Sequence, residues 1–341
     1  MPDSLRDARQ VLLVVVDGLG WEQLRARAAR LPVLASLDGS FVHTVAPSTT
    51  ATALTSITTG LTPGEHGVVG YRMMVTDERA DRQVLNVLRW STGRGDARRA
   101  VPPIDVQPIA PFLGMRPPVI TKGEFAGSGF SGAHLDGARL HGWRMASTLL
   151  VEARRLLEAG EPFVYAYYDG VDKVAHEYGL GEHYDAELAA ADRLIGDLIA
   201  VLPSGAALLV TADHGQVEVG KQGNRPIDPG VLEHCAQLSG EGRFRWLHAR
   251  RNRLDDLVTA ATEAHGDEAW VVTVDQMVDD NWFGPRVEDA ARGRLGDVAL
   301  VAREPVSFDD PADSGPFELI GRHGSLTSAE MRVPLLGYHR A

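Results

Sequence analysis

The chain has 341 residues, of which 44% are hydrophobic and 23% charged, and its formal net charge is −12 at pH 7. This composition is typical of a globular enzyme, and the length fits one large α/β domain with an insertion, or two domains. The negative charge argues against polymeric nucleic acid as a partner, and the single cysteine, Cys235, excludes an internal disulfide framework.

The first ten residues are polar and carry charges of both signs, so they do not resemble a signal peptide. No apolar stretch approaches the length that is needed to span a bilayer. We therefore expect a cytoplasmic protein that does not associate with a membrane.

Residues 11–16 form the first apolar run, VLLVVV, and Asp17 follows it directly. Such a run predicts a strand that is buried on both faces of a parallel sheet. Parallel sheets bind ligands just beyond the carboxyl ends of their strands, so Asp17 lies where α/β enzymes carry out chemistry. The alternative is that Asp17 only caps the next helix, and at this point the two interpretations are equal.

Helix and strand patterns then alternate along the chain. After Gly20 we predict a helix, a short strand at 41–47, and a helix of small residues that begins at 48–50. The region 70–125 is mostly polar, with candidate strands at 84–90 and 117–123. Helices at 143–157 and 183–202 alternate with strand segments at 163–170 and 206–215. This order predicts an α/β fold with a mainly parallel central sheet and helices on both faces.

Residues 217–316 show a further series of helix and strand patterns, and their number is that of a small domain. We predict that this segment is an inserted α/β cap and that residues 1–216 and 317–341 form the catalytic domain. The last apolar segment, near the C-terminus, would rejoin the main sheet.

Acidic residues and histidines follow the ends of the apolar strands. They are Asp17, Asp172 with His176, and Asp213 with His214, while His323 lies between glycines farther along the chain. Carboxylate oxygen and imidazole nitrogen are ligands of zinc, manganese and non-haem iron. Six such residues are too many for one tetrahedral ion and suit two ions. Each residue alone could instead be a helix cap, a turn residue or a surface histidine.

Two metal ions a few ångströms apart are a common device for phosphoryl transfer. This chemistry needs a nucleophile. The hydroxyl groups of Ser48, Thr49 and Thr50 lie at a predicted helix N-terminus, where backbone N–H groups also favour an anion.

Several short motifs occur in order between residues 11 and 324. They are Asp17, Pro47-Ser48-Thr49-Thr50, the segment GLTPGEHG at 60–67, Asp172-x-x-x-His176, the segment TADHG at 211–215, and GRHG at 321–324. Together they resemble the alkaline phosphatase superfamily, and within it the nucleotide pyrophosphatase/phosphodiesterase branch.

The resemblance implies two divalent cations, Mn²⁺ or Zn²⁺, and a covalent phospho-threonine intermediate. It assigns Asp172, His176 and His323 to one ion. It assigns Asp17, Asp213 and His214 to the other, with Thr50, aligned on Pro47, as both nucleophile and ligand. His66, within the matched motifs, is expected to be structural.

The sequence departs from the family pattern at Ala53, where many members have an asparagine that donates a hydrogen bond to a phosphoryl oxygen. Asn86, Arg72 and Lys122 are our candidates for a replacement donor. In the cap, Trp282 and Phe283 lie in a predicted turn, so we expect them to be exposed and able to stack on a base. Phe244 and Trp246 are expected in the core.

The segment around Thr50 also resembles actinobacterial cyclic-di-AMP phosphodiesterases of this superfamily. That resemblance favours cyclic di-AMP as the substrate, opened to linear pApA and then cleaved to AMP. Alternatives on the same scaffold are a nucleotide pyrophosphatase, a phosphomonoesterase and a phosphonate hydrolase. A metal-binding sensor that holds a nucleotide without turnover is an alternative of another class. The expected partner is thus a small nucleotide, and a homodimer is compatible with the sequence.

Overall fold

The computed structural model describes residues 5–313 and 318–341. The strands are β1 (Gln10–Val16), β2 (Asp38–His43), β3 (Arg72–Thr76), β4 (Arg82–Asn86), β5 (Ser91–Thr92), β6 (Gly95–Asp96), β7 (Pro118–Lys122), β8 (Arg139–Trp143), β9 (Phe163–Tyr168), β10 (Ala206–Thr211), β11 (Val217–Glu218), β12 (Asn224–Arg225), β13 (Cys235–Glu241), β14 (Phe244–Ala249), β15 (Ala269–Thr273), β16 (Val298–Ala302), β17 (Ser307–Phe308), β18 (Gly321–Arg322) and β19 (Arg332–His339).

The α-helices are α1 (Trp21–Ala26), α2 (Pro32–Ser36), α3 (Thr50–Thr59), α4 (Pro63–His66), α5 (Pro103–Val106), α6 (Gly129–His134), α7 (Ala146–Glu158), α8 (Gly170–Tyr178), α9 (Glu182–Ala200), α10 (Pro229–His234), α11 (Leu254–His265), α12 (Val274–Asp279), α13 (Asp289–Arg292) and α14 (Ser328–Met331). Short 3₁₀ turns occur at Ala28–Arg30, Pro111–Gly114, Gly123–Phe125 and Lys221–Gly223.

A seven-stranded sheet in the order β2-β19-β10-β1-β9-β7-β8 forms the centre of the fold. Strand β1 lies in the middle and is parallel to both neighbours, β10 and β9. The apolar side chains of β1 are largely buried, which explains why its sequence has no polar alternation. The predicted α/β fold with a mainly parallel central sheet is confirmed.

The C-terminal apolar segment rejoins this sheet, as predicted. Strand β19 is antiparallel to β10 on one side and to β2 on the other. An antiparallel edge on an otherwise parallel sheet is common in large α/β proteins. Because β10, β1 and β9 are adjacent and parallel, their carboxyl ends meet at one edge, and this edge carries the acidic residues that follow each strand.

The segment between β12 and β17 contains a separate four-stranded antiparallel sheet in the order β13-β14-β16-β15. One face of this sheet has its own core, which includes Leu247, Leu257 and Leu300. Residues on the other face, such as Phe244 and Trp246, pack into a core shared with the catalytic part, as expected for these two aromatics. The assignment of residues 217–316 as an inserted cap stays a prediction, and its C-terminal boundary at 316/317 falls outside the described residues.

The region 70–125 is more structured than its polar sequence indicates. It contains a small antiparallel sheet in the order β3-β4-β5-β6. The candidate strand at 84–90 starts earlier and ends at Asn86, and Trp90 adopts a left-handed backbone conformation with φ 51°. Trp143 ends strand β8 and does not begin helix α7, which starts at Ala146. These boundaries depend on strand pairing, which the local sequence does not encode.

No helix in the described part of the chain is long and apolar enough to cross a membrane.

His66 is a buried histidine whose two ring nitrogens both have hydrogen-bond partners. Its side chain is buried, Nδ1 accepts a hydrogen bond from the Val68 N–H, and Nε2 lies 2.9 Å from the Ser56 hydroxyl. These contacts agree with the expected structural role. Burial lowers the pKa of His66 to about 3, although the neighbouring Glu65 acts in the opposite direction.

We predict that this histidine makes the fold sensitive to acid. Below about pH 6.5 the imidazole of His66 becomes protonated in the unfolded chain but stays neutral in the folded chain. The free energy of unfolding should therefore fall by about 1.4 kcal/mol for each pH unit from pH 6.5 towards the lowered value. Denaturant unfolding at pH 7, 6 and 5 should show a smaller decrease for His66→Gln than for the wild type, whereas the exposed control His183→Gln should follow the wild type. If the free energy of unfolding decreases equally with pH in all three proteins, the prediction is contradicted.

Candidate functional site

The start of helix α3 places Thr50 beside the loop that carries His323. Ser48 pairs with Gly324: its N–H donates to the Gly324 carbonyl at 3.1 Å, and its hydroxyl donates to the Ser325 carbonyl at 2.6 Å. The hydroxyl of Thr50 lies 3.1 Å from Nε2 of His214. The candidate nucleophile is thus in contact with a candidate metal ligand, although more than 160 residues separate the two in sequence.

One group of ligand atoms is formed by Asp172, His176 and His323. Nε2 of His176 is 3.3 Å from Oδ1 of Asp172, and Nε2 of His323 is 3.8 Å from the same oxygen. Each histidine uses Nδ1 to bond a backbone carbonyl, that of Gly321 or that of Ser48, which leaves both Nε2 atoms facing the carboxylate. A carbonyl partner of this kind fixes the ring orientation and the tautomer of a metal-binding histidine.

A second group comprises Asp17, Asp172 and His214. Nε2 of His214 is 3.3 Å from Oδ1 of Asp17 and 3.6 Å from Oδ2 of Asp213. Asp213 is fixed through its other oxygen, which accepts hydrogen bonds from the N–H groups of Gly18 and His214. The structure brings together all seven residues that the resemblance assigns to the metal centre. It also places Asp172 at the junction of both groups, whereas the resemblance assigns it to one ion.

The buried carboxylates in this cluster repel one another. Burial raises the pKa of Asp17 well above its usual range, and the charges of Asp213 and Asp172 raise it further. Burial lowers the pKa of His214, but Asp213, Asp17 and Asp172 outweigh this effect and bring it to about 10. The pKa of His323 is well below its ordinary value because of burial and because His214 and His176 are close.

This donor set fits divalent cations. Oδ1 of Asp17 and Oδ2 of Asp213 are buried acceptors without a hydrogen-bond partner among the described residues. Buried acceptors without partners are costly, and a cation would satisfy both. Mixed carboxylate and imidazole donors suit zinc or manganese.

Two residues that the sequence analysis missed hold the ligands in place. The hydroxyl of Tyr167 donates to Oδ2 of Asp17, and Nε2 of Gln216 donates to Oδ1 of Asp172 at 2.6 Å. Gly18 makes the second contact possible, because a Cβ there would lie 2.9 Å from Nε2 of Gln216. Gln216 directly follows the matched segment at 211–215, which is the only sequence signal for its role.

The sheet of the 217–316 segment contributes Glu241 to the surroundings of the nucleophile. Its carboxyl group bonds the side chain of Thr49, and a Cβ at Gly324 would lie 2.7 Å from the carboxyl carbon. Burial raises the pKa of Glu241 to about 8, and the bond to Thr49 partly opposes this. Nothing in the local sequence marks this glutamate as part of the site.

A cavity of about 200 Å³ opens beside Thr50 and Asp17. Its other walls are mostly aromatic and aliphatic, and Asp169 and Lys173 lie at its polar end. The aromatic lining residues are Phe125, Phe130, His134, Tyr165 and Tyr167. A cavity of this character, with a few convergent polar groups, is typical of a small-molecule binding site.

The three candidate donors to a phosphoryl oxygen are divided between this cavity and a second cleft. Lys122 forms an ion pair with Asp169 at 2.8 Å and lies 5.3 Å from the centre of the Trp143 ring. Arg72 and Asn86 do not line the cavity beside Thr50 and lie instead in a second cleft.

The expected exposure of Phe283 is wrong, because its ring is fully buried and lies 6.2 Å from the Trp246 ring. Trp282 is half-buried and packs edge-on against Phe244. A turn sequence predicts the backbone but not which core the side chains enter.

Most of this chain matches a known protein family. The model of the family described as type I phosphodiesterase / nucleotide pyrophosphatase matches residues 11–326. A comparison with curated protein sequences gives no match.

Among solved structures, murine ectonucleotide pyrophosphatase/phosphodiesterase 5 superposes with a TM-score of 0.72 at 17% identity, covering 97% of this chain and 88% of that one. An inactive form of the same murine protein in complex with AMP gives a TM-score of 0.71 at 17% identity, covering 98% and 88%. Phosphonoacetate hydrolase from Sinorhizobium meliloti 1021, in complex with phosphonoformate, gives 0.69 at 18% identity, covering 98% and 91%. At these identities the likeness shows the fold alone.

We predict that Gln216 sets the affinity of the site for metal. Removing a hydrogen bond to a metal ligand commonly lowers affinity by about 10- to 100-fold. Isothermal titration of metal-free protein with Mn²⁺ or Zn²⁺ should show this loss for Gln216→Leu. The exposed control Gln222→Leu should bind like the wild type, and thermal unfolding without metal should confirm that both variants fold. Unchanged affinity in folded Gln216→Leu would show that the bond to Asp172 is dispensable.

Proposed function

This chain belongs to the type I phosphodiesterase / nucleotide pyrophosphatase family, and we propose that it hydrolyses a nucleotide phosphodiester with Thr50 as the nucleophile. Membership of the family makes it a hydrolytic enzyme that acts on phosphodiesters. The observation that carries the proposal is the position of Thr50, whose hydroxyl lies 3.1 Å from Nε2 of the candidate metal ligand His214 and which lines one cavity with Asp17 and Asp172.

The proposed reaction proceeds in two displacements at phosphorus. The Thr50 oxygen attacks, a bond forms between this oxygen and phosphorus, and the bond from phosphorus to the leaving alkoxide breaks. Water then cleaves the phospho-threonine and regenerates the hydroxyl. Divalent cations held by Asp17, Asp213 and His214 and by Asp172, His176 and His323 would supply charge stabilisation and lower the pKa of the hydroxyl. Mn²⁺ and Zn²⁺ are the ions we propose.

The cavity beside Thr50 supports a nucleotide as the substrate. Its apolar, aromatic walls suit a nucleobase, and its contact with Thr50 would place the attached phosphate at the metal centre. The solved murine relative in complex with AMP is consistent with a ligand of this class. Phe125 lines the cavity, is half-buried and lies 6.3 Å from the Tyr167 ring, so it is the aromatic residue that we propose to stack on the base.

Cyclic di-AMP is the substrate that we propose within this class. Its support is the resemblance of the segment around Thr50 to cyclic-di-AMP phosphodiesterases, together with a cavity that holds one base. Ring opening would give linear pApA, and a second cleavage would give AMP. A cytoplasmic location and homodimer formation stay predictions from the sequence.

A substrate panel tests the reaction and its nucleophile. With Mn²⁺, the wild type should cleave cyclic di-AMP and a generic nitrophenyl phosphodiester faster than nitrophenyl phosphate. Thr50→Ala should lose at least about 10³-fold in kcat, because the neighbouring hydroxyls of Ser48 and Thr49 are engaged by the Ser325 carbonyl and by Glu241. Thr50→Ser should retain measurable activity, since it keeps the oxygen.

Four outcomes of this panel separate the alternatives. Cleavage of the generic diester with intact cyclic di-AMP would overturn the assigned substrate and keep the reaction. Faster cleavage of the monoester or of phosphonoacetate would overturn the phosphodiesterase assignment. Full activity of Thr50→Ala under saturating metal would overturn the covalent mechanism, and nucleotide binding without any turnover would favour a sensor.

We predict that Phe125 selects substrates that carry a nucleobase. Phe125→Ala should raise KM for the nitrophenyl ester of thymidine 5′-phosphate by about 10-fold, as expected for one lost stacking contact. KM for methyl nitrophenyl phosphate, which has no base, should remain unchanged. Phe41→Ala removes a comparably half-buried ring on strand β2 and should alter neither value. An equal change for both substrates in Phe125→Ala would argue against a base in this cavity.

A further inference from the structure

A second cleft lies on the small sheet β3-β4-β5-β6, next to strand β13 of the other antiparallel sheet. Its volume is about 540 Å³, within the usual range for small-molecule sites. Four arginines and one carboxylate are among its described lining residues, on a chain whose net charge is −12. Arg72 and Asn86, which the sequence analysis singles out as phosphate-binding candidates, both line this cleft.

Arg72 provides a buried cation at this cleft. Its side chain is only 7% exposed, and one terminal nitrogen bonds Oδ2 of Asp310 at 2.5 Å and lies 3.7 Å from Asp313. The other terminal nitrogen and Nε have no partner among the described residues. The bond to Asp310 therefore fixes the guanidinium plane, and within residues 5–313 and 318–341 one edge of the group is not used.

Tyr71 provides a hydroxyl donor at the same place. Nδ2 of Asn86 donates to the Tyr71 oxygen at 2.6 Å, so the hydroxyl accepts a bond and its own hydrogen remains available. Oδ1 of Asn86 in turn accepts from the Arg89 N–H at 3.0 Å, which orients the amide. Burial raises the pKa of Tyr71, an effect that Asp313 reinforces and Asn86, Arg89 and Arg72 oppose, so the hydroxyl keeps its proton.

Two further arginines line the cleft without an acidic partner. Arg82 and Arg89 are exposed, and neither has a carboxylate within 4 Å among the residues that the structure describes. One terminal nitrogen of Arg82 donates to the Gly293 carbonyl at 3.3 Å, and its charge is not neutralised by that bond. Arg94, in contrast, is paired with Asp77 at 3.1 Å and with Asp81 at 2.8 Å.

The one acidic lining residue is already partnered. Asp313 lies 3.5 Å from the buried guanidinium of Arg245. The uncompensated charge of the cleft is therefore positive.

We propose that this cleft binds a phosphorylated small molecule whose phosphate is held by Arg72, Tyr71 and Arg89, with Arg82 at the rim. A guanidinium fork matches the oxygens of a phosphate, and several converging donors of this kind are the usual means of binding that group. The cleft is larger than a phosphate alone requires, so a nucleotide-sized ligand fits. This phosphate belongs either to a separate molecule or to a part of the substrate that is remote from Thr50.

Calorimetry on the full chain without divalent metal tests the site separately from catalysis. In EDTA the catalytic centre lacks the divalent cations through which it would bind a phosphate, so ADP and tripolyphosphate should bind at one saturable site in the arginine cleft. Arg82→Gln/Arg89→Gln should weaken both probes at least 10-fold. The control Arg154→Gln/Arg251→Gln removes two exposed positive charges elsewhere and should change affinity less than twofold.

Three results would overturn the proposal. They are the absence of saturable binding to the wild type, wild-type affinity in Arg82→Gln/Arg89→Gln, and an equal loss in both double variants, which would indicate general electrostatic attraction. None of them depends on turnover, so failure of the proposed reaction would leave this test intact.

A kinetic comparison identifies the source of the phosphate. With metal present, two diesters that differ only by an additional terminal phosphate should be compared in the wild type and in Arg82→Gln/Arg89→Gln. A rise in KM of at least 10-fold for the phosphorylated diester alone would place part of the substrate in the cleft. If the ratio of KM in the variant to KM in the wild type is the same for both diesters, and the calorimeter shows weakened binding, the cleft is assigned to a separate phosphorylated molecule.

Discussion

Repulsion among buried carboxylates is the constraint on which the site depends. Asp17, Asp172 and Asp213 are each at most 9% exposed and lie around one histidine, His214. Isolated buried charges are unfavourable, so such a cluster persists only if cations or hydrogen-bond donors compensate it. The raised pKa of Asp17 and the unpartnered oxygens of Asp17 and Asp213 both indicate that protein groups alone do not complete this compensation.

The central sheet brings the acidic residues together, and neutral hydrogen-bond donors orient their carboxylates. Strands β10, β1 and β9 are adjacent and parallel, so the residues that follow them meet at one edge. Tyr167, Gln216 and the N–H of Gly18 then each bond one acidic residue of the cluster. Neutral donors orient the carboxylates without cancelling their charge, which keeps the cluster suited to divalent cations.

A buried ion pair connects the sheet β13-β14-β16-β15 to the edge of the central sheet that carries the acidic residues. Arg243 binds Glu330 in a bidentate manner, through bonds of 2.7 and 2.9 Å, and both side chains are fully buried. Glu330 also accepts the N–H of Ser325, two residues after His323. The pair therefore links the turn that follows Glu241 with the loop that carries the candidate metal ligand His323. Breaking one partner of such a pair typically costs about 3–5 kcal/mol, so we regard the two sheets as parts of one site.

The sequence by itself determined the central sheet and the candidate metal ligands, because both have local signals. A continuous apolar run such as 11–16 predicts a strand buried on both faces, and an acid or histidine directly after it lies at the carboxyl end of that strand. The tertiary structure alone decided which distant side chains meet. Gln216 reaches Asp172 because Gly18 leaves room, and Glu241 reaches Thr49 from another sheet. Arg72 and Asn86 gather with Arg89 in a separate cleft, while Phe283 turns into the core. These outcomes depend on strand order and on packing between segments far apart in the chain, for which a linear sequence carries no local pattern.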